Sequence, residues 1–233
     1  MIREIITYPN KLLRTKSKDV EEFNSELHTL LDDMYETMIA ASGVGLAAIQ
    51  IAVPLNVLII NPINEEDIQD KNDLIEAINP KITHKDGELV YQEGCLSVPG
   101  FYEDITRAKH IVVEYFDRFG EKQTMECEDF LAVAWQHEME HLDGHVFIEN
   151  LSFTKRQKFE KEWKNKKKSK KEIFSYMLFE IILKIITLKK IFDKIQIFQK
   201  NNFSKFVAKT VLKFIGQDLI AKKIAKITAK IKL

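Results

Sequence analysis

Cysteine is scarce in this chain: 233 residues hold only Cys95 and Cys127. Two thiols cannot build a disulfide framework, and with six methionines beside them they fit a reducing interior, the cytoplasm by default. The opening MIREIITYPN lacks a basic stretch followed by about 7–15 apolar residues, so no secretory signal is expected. No internal repeat is present. Long apolar runs are missing too. The strongest, Ile173–Leu188, contains Glu180 and Lys184 and falls short of the roughly 18–20 residues a membrane span needs.

What is present is ordinary for a globular chain, 45% hydrophobic and 30% charged. A typical domain runs to about 100–200 residues, so this length suits one catalytic domain with an appendage. The net charge of zero conceals a division. Residues 165–233 carry 18 Lys against 4 acids, which leaves 17 basic against 31 acidic residues in 1–164. A swing from −14 to +14 marks a boundary, predicted as a domain over 1–165 and an extension over 166–233.

Leu27, Leu30, Leu31, Met34, Met38 and Ile39 recur at helical spacing, predicting a helix over Ser25–Ala41 with Ser25 as N-cap and its end at Gly43. Gly43-Val44-Gly45-Leu46 then offers backbone that a ligand can approach closely. Short apolar runs over Asn56–Ile60 and Leu74–Ile82 read as strands that stop at prolines, with an acidic loop between them. Ile111–Phe116 and Lys122–Cys127 flank Asp117-Arg118-Phe119-Gly120 as a β-hairpin. Asp129–Leu142 is predicted helical, with Gly144 as a stop. Strands between an early and a late helix predict an α+β domain.

The densest chemistry lies in Gln136-His137-Glu138-Met139-Glu140-His141. On a helix His137 and His141 stand one turn apart on one face, about 5–6 Å between Cβ atoms, so both imidazoles can reach one ion. Glu138 can lean towards a water on that ion and exchange a proton with it. The same pattern also arises by chance on helices, so its context decides. A catalytic metal wants three protein ligands and an open position. Downstream lie His145, Glu149, Glu160 and Glu162, and Asp143-Gly144 ends the helix before His145. Upstream, Cys95 sits in the turn-rich Glu93-Gly94-Cys95-Leu96-Ser97-Val98-Pro99-Gly100. Cys127 reads as a small buried hydrophobe.

With Gly43-Val44-Gly45-Leu46-Ala47-Ala48-Ile49-Gln50, Glu93-Gly94-Cys95-Leu96-Ser97 and Gln136–His141 in this order, residues 1–165 resemble the peptide deformylase family. The resemblance implies small antiparallel or mixed sheets packed around a central HExxH helix. It implies removal of the formyl group from N-terminal formylmethionine of newly made proteins in a bacterial-type cytoplasm, with release of formate. Carried over by position, it puts the metal ligands on Cys95, His137 and His141 and the general acid–base on Glu138. The ion is expected to be Fe²⁺, with Zn²⁺, Ni²⁺ or Co²⁺ able to replace it. Oxyanion donors fall on the Gln50 amide and the Leu96 backbone N–H. Gly45 lets the substrate lie alongside as an added strand, and the methionine pocket is walled by Val44, Tyr91, Phe130, Val133, Ala134 and His137. Plain core packing remains open for Tyr91 and Phe130. Arg107 is read as a surface residue, with orientation of the strand before the site as the alternative.

The resemblance stops before the tail. There Phe174, Met177, Ile181, Ile185, Leu188, Phe192 and Ile195, then Phe203, Val207, Val211, Phe214 and Ile215, recur at helical spacing among lysines. Basic amphipathic helices are predicted, suited to an anionic membrane surface or to ribosomal RNA, and tethering to the ribosome is the expectation. Packing on the acidic domain is the competing one. Two other function classes stay open: an HExxH peptidase, which wants a downstream third ligand and tolerates loss of Cys95, and a catalytically silent ribosome or membrane binder, which tolerates loss of Glu138.

Overall fold

The computed structural model describes residues 1–64, 68–165 and scattered positions between 174 and 189. The chain divides into two units, Met1–Phe159 and Glu160–Leu233. Within the expected tail pattern, Phe174, Ile181 and Ile185 have helical backbone. Met177, Leu188, Phe192, Ile195, Phe203, Val207, Val211, Phe214 and Ile215 lie outside the described residues. No helix among the described residues is long and apolar enough to cross a membrane.

The first unit is α+β. Its strands are β1 (Gly45–Ala47), β2 (Val57–Ile60), β3 (Ile75–Asp86), β4 (Leu89–Gly94), β5 (Tyr102–Arg107), β6 (His110–Phe116) and β7 (Lys122–Glu128). Five form one antiparallel sheet in the order β1-β2-β3-β6-β7, while β4 and β5 pair separately. The helices are α1 (Ser25–Ala40) and α2 (Asp129–Leu142).

The side-chain alternation of a strand splits the core in two. On β2, Val57 and Ile59 join Leu27, Leu30, Leu31, Met34 and Met38 of α1, whereas Leu58 and Ile60 join Ala132, Trp135 and Leu142 of α2. Burial on both faces is why β2 reads as an unbroken apolar run rather than an alternating one. α2 touches both sheets, from β1 and β2 on one side to β4 and β5 on the other, so residues on its surface can meet three separate chain segments.

Three boundaries differ from those expected. The N-cap of α1 is Asn24, whose side-chain oxygen accepts from the Glu26 and Leu27 N–H groups. Its far end closes through Gly43 N–H to Met38 O and Ser42 N–H to Ile39 O, with the left-handed residue being Ser42 and not a glycine. β3 does not stop at Pro80 but runs on to Asp86. Asn79 takes a positive φ there and the pairing with β6 shifts register between Ile78 and Lys81. A bulge needs no ladder donor from proline, and the Asn79 side chain exchanges two hydrogen bonds with the Val20 backbone to hold it. The sequence carries no strand signal for β4 and β5, since β4 is mostly exposed without apolar alternation and β5 has Ile105 as its one aliphatic residue.

The hairpin of β6 and β7 turns where expected. Asp117 accepts from the Phe119 and Glu121 N–H groups and from the Gln123 amide. Partial burial works against its charge, but these donors outweigh it and hold the carboxyl below the usual carboxylate range. A group with a depressed folded pKa contributes stability that is present above its unfolded value of about 3.9 and is lost as pH falls through the folded value. Asp117→Ala is therefore expected to cost about 1–2 kcal/mol at pH 7 in urea titrations. That deficit should shrink towards pH 2, and one of the same size at both pH values would count against this account.

Candidate metal centre

Three segments with no sequence proximity supply the site. The first is the stretch from the end of α1 through β1 into a 3-10 helix at Ala48–Ile51. The Gln50 side chain closes this helix by accepting from the Ala47 N–H at 2.8 Å. With its oxygen so engaged, its Nε2 points the other way, 3.2 Å from Ser97 Oγ and 3.6 Å from Cys95 Sγ. The second segment is the turn after β4, closed by Val98 N–H to Cys95 O. It carries Cys95, while the Leu96 side chain packs where a Cβ on Gly43 would stand. The Leu96 N–H has no partner among the described residues.

The third segment is α2. Gln136 fastens it by exchanging two hydrogen bonds with the Ala108 backbone. Its C-terminus closes with Gly144 N–H to His141 O and His145 N–H to Glu140 O, Gly144 taking the left-handed conformation. This closure leaves His145 exposed and beyond the helix, so it does not join the cluster.

Cys95, His137 and His141 place one ligand atom each within 4.8 Å of one another. Cys95 Sγ lies 3.1 Å from His141 Nε2. His137 donates its Nδ1 proton to Glu93 at 2.7 Å, which leaves Nε2 as its free ligand atom. One soft sulfur and two imidazoles form a donor set that suits zinc, iron or nickel, and a carboxylate on the far nitrogen of a ligating histidine is the usual support. His141 is completely buried with no hydrogen bond to its Nδ1. Burial and the neighbouring His137 charge drive its pKa well below the ordinary imidazole value. His137 is also buried, but Cys95 and Glu93 outweigh that and raise its pKa. The residues fit a divalent metal held by three protein ligands.

Glu138 faces the same space. Burial raises its pKa to about 7, and its Oε2 has no hydrogen-bond partner. Gly45 stands against it, since a Cβ built there would fall 2.5 Å from Glu138 Oε1. These groups open onto a cavity of about 570 Å³, whose wall includes Val44, Gly45, Gln50, Leu96, His137 and Glu138. Ile5, Phe101 and Tyr102 also line it, a contribution for which the sequence offers no signal.

The other expected wall residues, Tyr91, Phe130, Val133 and Ala134, are not among the residues that line this cavity. Phe130, Val133, Ala134 and His137 form a stripe along α2 at helical spacing. Val133 and Ala134 are buried, and Tyr91 of β4 meets Phe130 with the rings tilted by 48° and their centres 5.6 Å apart. Cys127 is buried, with its pKa pushed up by burial to about 11, as suits an inert thiol. Arg107 requires a correction: it is not a surface residue but only 7% exposed, because Glu93 and Glu140 together pair its whole guanidinium.

A family model described as polypeptide deformylase matches residues 2–157. The peptide deformylase of Campylobacter jejuni is 58% identical over 173 residues, covering 74% of this chain and 99% of its own length. A crystal structure of the Legionella pneumophila peptide deformylase superposes with a TM-score of 0.68 at 39% identity, covering 73% of this chain and 98% of that one. The Ehrlichia chaffeensis enzyme, solved in complex with actinonin, gives 0.65 at 38% identity over 71% of this chain and 97% of its own. Sequence and fold agree over the unit that assembles the cysteine and two histidines, and this chain belongs to the polypeptide deformylase family of hydrolases.

Proposed function

We propose that this enzyme removes the formyl group from formylmethionine at the N-terminus of newly made polypeptides in the bacterial cytoplasm, releasing formate. Cys95, His137 and His141 would hold one divalent ion, Fe²⁺ in the cell, with Zn²⁺, Ni²⁺ or Co²⁺ as substitutes. The observation that carries this reading is the meeting of the three ligand atoms with Glu138 and Gln50 on one cavity. When bound, the metal lowers the pKa of a water from about 15.7 towards 7 and polarises the formyl oxygen.

The chain's own groups do the rest. Glu138, buried and with Oε2 free, takes the proton of the attacking water and returns it to the departing amine. Gln50, its oxygen tied to Ala47, offers Nε2 to the negative charge growing on the formyl oxygen, and the Leu96 N–H is the second donor. β1 is an edge strand of the five-stranded sheet, so a peptide can add beside Val44 and Gly45 through backbone bonds that ignore side chains. The methionine side chain would enter between Val44 and the stripe of Phe130, Val133 and Ala134, with Tyr91 behind it.

The test is formate release from a formyl-Met peptide. Chelation is expected to abolish it and added Co²⁺ or Ni²⁺ to restore it, while Cys95→Ala should neither bind metal nor release formate. Cleavage of internal bonds in an unformylated peptide, without formate, would replace this reading with a peptidase.

The catalytic domain spans residues 1–165 around the HExxH helix, and the lysine-rich extension 166–233 tethers the enzyme to ribosomal RNA. Deleting 169–233 should abolish co-sedimentation with ribosomes and leave turnover of free peptide unchanged. Retained ribosome binding would refute the tether, and a loss confined to anionic vesicles would transfer it to the membrane surface.

A further inference from the structure

Behind His137 runs a chain of charges that the ligand set does not explain, with Glu93 and Arg107 buried and Glu140 partly exposed. Arg107, on β5, donates from Nε to Glu93 Oε1 at 2.7 Å and from Nη2 to Glu93 Oε2 at 3.0 Å. Its other edge pairs with Glu140 of α2, through Nη2 at 3.0 Å and through Nη1. Glu140 in turn accepts from Asn150 Nδ2 on both oxygens, at 3.0 and 2.9 Å. Glu93 Oε2 is the atom that receives the His137 Nδ1 proton. One guanidinium therefore joins β4, β5 and α2 directly behind a ligand.

Stability is a poor reason for such an arrangement. Removing these charges from water costs several kcal/mol per ion, and apolar replacements of similar volume are often as stable. What the planar fork of arginine does well is fix both oxygens of a carboxylate in one plane. A lysine, as a point charge, leaves that plane free to rotate.

We propose that Arg107 is a positioning residue for the metal centre. Through Glu93 it holds the His137 ring as the Nδ1–H tautomer with Nε2 turned towards Cys95, and Glu140, itself held by Asn150, holds Arg107. The inference rests on the reading of Cys95, His137 and His141 as ligands, and its two measurements fail independently of each other.

The first uses metal-free protein. Recorded at a pH high enough for His137 to be neutral, imidazole ¹⁵N resonances should show it as a single Nδ1–H tautomer in the parent and as a tautomer mixture in Arg107→Met, with Arg107→Lys and Glu140→Gln between them. The second is Co²⁺ affinity by chelator competition together with the Co²⁺ absorption spectrum. Arg107→Met should weaken affinity about 10–100-fold and alter the spectrum, and Lys should recover only part of the loss. If the parent binds no Co²⁺ the ligand reading fails, while the tautomer result still judges Arg107. Should Arg107→Met not fold, by circular dichroism, the Lys and Gln variants decide. A folded variant with the parent's tautomer and affinity overturns the proposal.

Discussion

Glu138→Gln is expected to lower the rate of formate release by about 10²–10⁴-fold while leaving the metal in place. The substitution keeps the length and volume of a side chain that is buried against Gly45, so no cavity or clash is introduced. It removes a carboxyl whose burial lifts its pKa to about 7, where it can both accept and return a proton near neutrality. None of the three ligand atoms comes from residue 138, so metal content should match the parent. The paired measurement is single-turnover formate release and metal stoichiometry on one preparation. A variant within tenfold of the parent would move the proton transfer to another group.

Gly45→Ala should be nearly as damaging, although residue 45 has no side chain to lose. The added Cβ would stand 2.5 Å from Glu138 Oε1 and 2.9 Å from its Cγ and Cδ, closer than real carbon atoms approach. Glu138 cannot swing into solvent, because it is buried on α2, and α2 is fastened to Ala108 through Gln136. Either the carboxyl or β1 must move. A displacement of about 1 Å at a reacting group costs roughly 10²-fold in rate, and overpacking a core site costs about 1–3 kcal/mol. The two effects separate in a double-mutant cycle on kcat. In the Glu138→Gln background, Gly45→Ala should add little further loss of rate, since the displaced group no longer exchanges a proton. Full additivity would show that Gly45 serves substrate binding and not the position of Glu138.

The motifs were legible in the sequence because each is a short-range object. His137 and His141 share a helix face by their spacing alone, Gly144 marks the helix end, and Asp117 marks a hairpin turn. Apolar periodicity likewise exposes α1, and an unbroken apolar run exposes the buried strand β2. What could not be read is whatever depends on the partner of a residue. Arg107 has the composition of a surface side chain, and only the approach of β4 and α2 shows that two carboxylates neutralise it. Glu93 stands two residues before Cys95, yet its bond to His137 spans 44 positions. Pro80 stops a strand by local rules, and the structure overrules them with a bulge stapled to Val20.

The sequence by itself determined which residues can carry the chemistry: a thiol in a tight turn, two imidazoles one helical turn apart, a carboxylate beside them and an amide after a glycine-rich stretch. Tertiary structure alone decided how they act. It buried Glu138 to lift its pKa, turned the Gln50 amide by engaging its oxygen, and set a carboxylate and a guanidinium behind His137. Residue identity and spacing are local properties of the chain, whereas desolvation and long-range pairing come into being only when distant segments close around one point.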